Sequence, residues 1–104
     1  MADKTIFLCC STGASSGFIA KNIRQAAKAE GIEVNVIARS DSVIEDYIED
    51  VDVILIAPHL SYLLDDLEDI ADEHDVPLVM IPKKAYGDMD GATILQIALE
   101  EMDA

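Results

Sequence analysis

No lysine or arginine occurs between Ser40 and Pro82, although that stretch carries thirteen acidic residues. Across the chain seven basic residues face twenty-one acidic ones, a formal charge of −14, which excludes nucleic acid as a partner. No apolar run approaches the roughly 20 residues needed to cross a bilayer, so no direct membrane insertion is expected. The first residues lead straight into an apolar strand without the layout of a signal peptide, and a cytoplasmic protein is expected. The only two cysteines, Cys9 and Cys10, are adjacent. They make neither a disulfide framework nor a zinc or C-x-x-C pattern, and in a reducing compartment both are thiols. Internal repeats, low-complexity segments and linkers are also missing. One domain over residues 1–104 is expected, with no cofactor and no metal. What the chain does have is 51% apolar residues, enough for a core and too many for a disordered segment.

The stretch from Thr5 to Gly17 organises the rest. Ile6 to Cys9 is an apolar run that reads as a buried strand. It stops at Cys10, and Ser11, Thr12, Gly13, Ala14, Ser15, Ser16 and Gly17 follow before a helical pattern sets in at Phe18. Small residues let the backbone curl so that several N–H groups point at one spot, which the positive end of a helix dipole also faces. Such a place holds an anion. It also lowers a thiol pKa from about 8.5 into roughly the 3.5–7.5 range. Cys10 is therefore the candidate nucleophile, with Ser11–Gly17 as its phosphate-binding loop. A buried structural thiol before a tight turn is the alternative for Cys10. Cys9, still inside the strand, reads as core packing.

In order along the chain, strand one covers residues 4–9, apolar on both faces. Helix one runs from about Ser15 to Glu30 and buries Ile19, Ile23, Ala26 and Ala27, while Lys21, Arg24 and Lys28 form a basic stripe that reads as a solvated face, with docking to an acidic partner surface as the alternative. Gly31 ends it. Strand two covers residues 33–39 with edge-like alternation. Ser40 or Asp41 caps a short helix over about residues 41–48. Strand three is residues 51–57, closed by Pro58. Helix three spans about Ser61 to Glu73, with Leu60, Leu63, Leu64, Leu67, Ile70 and Ala71 on one face. Strand four is residues 76–81, residues 82–90 are a loop, and the last helix runs from Gly91 to about Met102. The alternation predicts an α/β fold: a single open four-stranded parallel sheet of order 2-1-3-4 with helices on both faces. The ends of strands one and three would flank the switch point, bringing Cys10, Pro58 and His59 to one crevice.

The loop also lacks things. A nucleotide-binding loop needs Lys and then Ser or Thr after its last glycine, and here Gly17 is followed by Phe18 and Ile19. A low-molecular-weight tyrosine phosphatase loop, C-x-x-x-x-x-R from Cys10, would need arginine where Ser16 stands. Without a guanidinium to clamp the transferring oxygens, fast hydrolysis is disfavoured and a phosphocysteine persists.

The chain resembles the enzyme IIB component of the lactose/cellobiose (chitobiose) class of the bacterial phosphoenolpyruvate:sugar phosphotransferase system. Three segments in order carry the likeness: Ile6 to Ser16, matching the family's strand and C-S-x-G loop; Ala57 to Leu63, like its G-P-Q-x-x-Y/F segment; and Tyr86 to Gly91, like its Y-G-x-x-D-G segment. Cys9 stands at a commonly apolar position, His59 replaces a frequent Gln and Ala57 a frequent Gly. The resemblance implies that Cys10 accepts a phosphoryl group from a phosphohistidine of enzyme IIA and passes it to a sugar carried by the membrane permease, enzyme IIC. The sugar would be a disaccharide such as lactose, cellobiose or chitobiose. The rivals are a small cysteine phosphatase or arsenate reductase, and a non-catalytic regulatory module.

His59, Tyr62 and Tyr86 are candidate crevice or partner contacts. His74 reads as surface and Asp90 as the cap of the last helix. The acidic stretch reads as a solubility face, with steering toward a basic partner as the sharper option. A monomer is expected, because the outer faces are charged.

Overall fold

Two stretches of apolar residues set the middle of the sheet. The computed structural model describes residues 4–9 and 15–103, with Ser15, Ser16, Asp41 and Asp103 in backbone only. Strand β1 (Lys4–Cys9) is buried at every residue from Thr5 on, and β3 (Val53–Ile56) at all of its residues. Runs without polar alternation suit strands covered on both faces. They lie side by side, Ile6 opposite Val53 and Cys9 opposite Ile56. The sheet is wholly parallel, in the order β2-β1-β3-β4, with β2 (Val34–Arg39) and β4 (Leu78–Met80) at its edges.

Alternation along β1 feeds two cores. Ile6 and Leu8 pack under helix α1 (Ser15–Ala29) and helix α5 (Gly91–Asp103), against Ile19, Ile23, Ile94 and Leu95. Phe7 and Cys9 point to the other face, among Ile44, Ile48, Leu60 and Leu67. These come from the short helix α2 (Ile44–Tyr47), the turn that follows it, the turn Pro58–Leu63, and α3 (Leu64–Glu73). The expected order, the helices on both faces and the buried stripes of α1, α3 and α5 are all present.

The differences are local. The expected short helix over residues 41–48 is α2 between two 3-10 turns, Asp41–Val43 and Ile48–Asp50; Ser40 caps the first, its Oγ accepting the Ser42 N–H at 3.3 Å. The expected start of helix three at Ser61 falls in a 3-10 turn, Pro58–Leu63, broken at Leu60. Strand four is shorter than residues 76–81: the Pro77 ring offers no N–H, and although its carbonyl accepts from Ile54, the strand proper begins at Leu78. Residues 82–90 are not simply a loop, since they contain helix α4 (Lys83–Gly87), entered from Pro82 and anchored by buried Ala85. Arg24 does not lie idle on a solvated stripe. Its Nη2 donates to the Val36 carbonyl of edge strand β2 at 2.6 Å. Among the described residues no helix is long and apolar enough to cross a membrane.

Candidate functional site

Three parts of the chain meet at the C-terminal end of the sheet. β1 leaves it at Cys9, whose side chain is fully buried. α1 then starts at Ser15, and its first turn, Ser15 to Gly17, has no acidic residue. The first N–H groups of a helix have no partner within it and attract anions. Cys10, Ser11, Thr12, Gly13 and Ala14 lie outside the described residues. Ser15, Ser16 and Gly17, expected at the end of the loop, belong to the first helical turn. Gly17 is exposed there, and a Cβ on it would meet open space.

β3 exits through Ala57, fully buried, into the turn that begins with Pro58. The Leu60 N–H bonds back to the Ala57 carbonyl at 2.9 Å, and the buried Leu60 side chain pins the turn. His59 is left exposed, and so is Tyr62, at 74%. β4 exits through Ile81, whose N–H bonds to the Ile56 carbonyl at 2.9 Å, and Pro82 opens α4. Half-buried Tyr86 on α4 meets the His59 ring edge-on, with centroids 5.4 Å apart. Two of the three marker segments are thereby in contact. Tyr62 reaches neither ring in the described contacts.

The third wall is a corner. Met89 takes a left-handed backbone (φ 51°), and Asp90 caps α5 as expected. Its carboxylate accepts the Thr93 N–H at 3.1 Å and the Thr93 hydroxyl at 2.7 Å, which hold the Asp90 carboxyl below its ordinary pKa. Gly91 is pressed on α1 so closely that a Cβ would overlap the Asn22 backbone carbonyl. The Asn22 side chain in turn donates to the Met89 carbonyl at 2.9 Å. Among the described residues no group of three His, Cys, Asp or Glu side chains could hold a metal ion.

Residues 5–97 match the family described as PTS system, Lactose/Cellobiose specific IIB subunit. The chain belongs to this family. A relative from Bacillus subtilis, the oligo-beta-mannoside-specific EIIB component, is 29% identical over 95% of this chain and 96% of its own length. A solved cellobiose-specific IIB component from Borrelia burgdorferi superposes with a TM-score of 0.83 at 27% identity, covering 97% of this chain and 93% of that one. The lactose-specific IIB domain from Streptococcus pneumoniae shares the fold, with a TM-score of 0.85 at 18% identity over 95% of this chain and 97% of that one. As a IIB subunit the chain is a phosphotransferase component that passes a phosphoryl group toward sugar. This favours the carrier reading over a phosphatase or a regulatory module. In the family, IIB works with enzymes IIA and IIC.

Sequence reading missed part of this IIB surface. Phe18 and Met89 are large, apolar and exposed, at 58% and 39%. Phe18 carried a signal: it falls outside the Ile19–Ile23–Ala27 stripe of α1. Met89 carried none.

Proposed function

We propose that Cys10 is the phosphoryl acceptor of this IIB subunit. Its thiolate attacks the phosphorus of a phosphohistidine on enzyme IIA. The S–P bond forms, the N–P bond breaks, and the electron pair returns to the imidazole. A sugar hydroxyl on enzyme IIC then attacks the same phosphorus, its proton passes to a base outside this chain, and the thiolate leaves. Backbone N–H groups of residues 11–17 are the ligands of the phosphoryl oxygens, since phosphoryl transfer asks for positioning and charge stabilisation above all.

One observation carries the reading: a 15-residue helix without a single acid starts six residues beyond the buried end of a central strand, with Cys10 between them. Taken as a whole, the rest of the chain is net negative, which an incoming phosphate would avoid. The chain acts in the cytoplasm, as a monomer and as a single IIB domain. Its sugar is a disaccharide of the lactose, cellobiose or chitobiose kind.

Intact mass after incubation with phosphoenolpyruvate, the general phosphotransferase proteins and a phosphorylated IIA tests this. Wild type and Cys9→Ala should each gain one phosphoryl group, about 80 Da, and Cys10→Ser none. Retention of the added mass in Cys10→Ser would move the site elsewhere.

A further inference from the structure

Helix α3 buries one face and leaves the opposite face to solvent. Leu67 and Ala71 point into the core beside Leu60. On the other side Asp65, Asp66, Asp69 and Glu73 recur at helical spacing, and all four are exposed. Tyr62 stands one turn before Asp65 and Asp66, at the head of the same stripe. At 74% it is the most exposed large hydrophobic side chain among the described residues. Among the described residues none of the four carboxylates has a hydrogen-bond or ion-pair partner, and no lysine or arginine lies between Ser40 and Pro82 to offset them. Solubility accounts for the carboxylates but not for the tyrosine. An aromatic ring left in water within a charged stripe has the composition of an interface, where aromatic anchors are enriched and charges make the rim. Because β3 and β4 are parallel, α3 runs back along the sheet. The Tyr62 end of the stripe therefore lies at the end where Cys9 closes β1, on the face opposite α1 and α5.

We infer that the outer face of α3, headed by Tyr62, is where the sugar permease docks when it takes the phosphoryl group, an inference that rests on the Cys10 reading. Charge selects the occupant. Carboxylates without a counter-ion complement a cationic surface, and the cytoplasmic loops of a membrane protein carry an excess of Lys and Arg. The donor brings an anionic phosphoryl group, which the stripe repels. The anionic bilayer surface repels it too, and so does a second copy of this chain at −14. A permease held at the Tyr62 end of the stripe stands beside the end of β1, after which Cys10 follows.

The test separates delivery from loading. It compares wild type with Tyr62→Ala, with the double variant Asp66→Asn, Asp69→Asn, and with a control, Glu100→Gln, Glu101→Gln, that removes two charges from α5 instead. Each protein is loaded by a phosphorylated IIA that loads wild type. It is then mixed with sugar and with permease-bearing vesicles, cytoplasmic side outward, that take the group from wild type, and sugar phosphate is timed. Tyr62→Ala and the Asp66, Asp69 variant should each need about tenfold more carrier for half-maximal delivery. The loading rate of every variant, and delivery by the control, should stay within about twofold of wild type. In 1 M salt, where the Debye length falls to about 3 Å, most of the gap between wild type and the Asp66, Asp69 variant should close, while the Tyr62→Ala gap remains. Unchanged delivery by either variant overturns the inference. So does an equal loss in loading, which would assign the face to the donor, or an equal loss in the control, which would reduce the effect to net charge. If wild type itself takes no phosphoryl group from any phosphorylated donor, the Cys10 reading falls and the docking inference with it.

Discussion

Single side chains at the open end of the sheet have separable jobs, and Asp90 shows how one is measured. It is the N-cap of α5, and its carboxylate accepts twice from Thr93. The carboxyl is therefore held below its ordinary value, first by the Thr93 hydroxyl and then by the Thr93 N–H. A depressed carboxylate contributes stability that is present above the unfolded-state pKa of about 3.9 and is lost as pH falls through the folded-state value. Asp90→Ala should lower the melting temperature by about 5 °C at pH 7. The gap to wild type should narrow below pH 4. Thermal unfolding from pH 7 to pH 3 would decide it. A gap that stayed constant to pH 3 would show that the ionised carboxylate contributes nothing. Because Asp90 follows Met89, this cap also fixes the corner that packs on α1 at Asn22.

At the scale of elements, the central strands were legible because their burial is written as uninterrupted apolar residues, and α1, α3 and α5 because theirs recurs at helical spacing. α4 was not legible. Its five residues offer one buried anchor, Ala85, between a proline and a glycine, too few for any period to show. Its exposed Lys84–Asp88 pair, at 3.1 Å, is worth only a few tenths of a kcal/mol and leaves no signature either. For the site, the strand, the start of α1 and the second and third marker segments could be read from residue order. The corner that holds Met89 against α1 could not, because Asn22 and Met89 are 67 positions apart. The basic stripe of α1 was half legible: spacing put Lys21, Arg24 and Lys28 together, but not the Arg24 hydrogen bond to the edge of β2. That bond satisfies a carbonyl on an open sheet edge. Arg24→Ala should cost about 1 kcal/mol of unfolding free energy, whereas Lys21→Ala should stay within about 0.5 kcal/mol of wild type. Urea unfolding of both would show it. Equal effects would return Arg24 to the solvated stripe.

Across the whole molecule charge is unevenly spread between helices, α5 beside α1 carrying Glu100, Glu101 and Asp103. α1 itself carries Lys21, Arg24 and Lys28 and no acid. The chain from Asp41 to Asp75 carries thirteen acids and no base. A cleft of about 650 Å³ at the N-terminal ends of the strands adds to the imbalance, lined in part by Glu49, Asp52, Asp75 and Glu101. Acids thus crowd the end away from Cys9 and the face away from α1. For a subunit that receives a phosphate anion, this arrangement leaves the receiving end the least repulsive part of the surface. The crowding should cost stability. On α3, Asp72 lies within one turn of Glu68 and Asp69, and it sits in the last turn, where the helix dipole disfavours an anion. Asp72→Lys reverses both effects and places a cation four residues after Glu68, the favourable order. It should gain about 0.5–1 kcal/mol at low salt. In 1 M salt, where the Debye length falls to about 3 Å, most of that gain should vanish. Melting temperatures at both ionic strengths give the answer. A gain that survives high salt would reflect packing or helix propensity, and no gain at low salt would mean that the acidic face is already spread widely enough to carry its charge without strain.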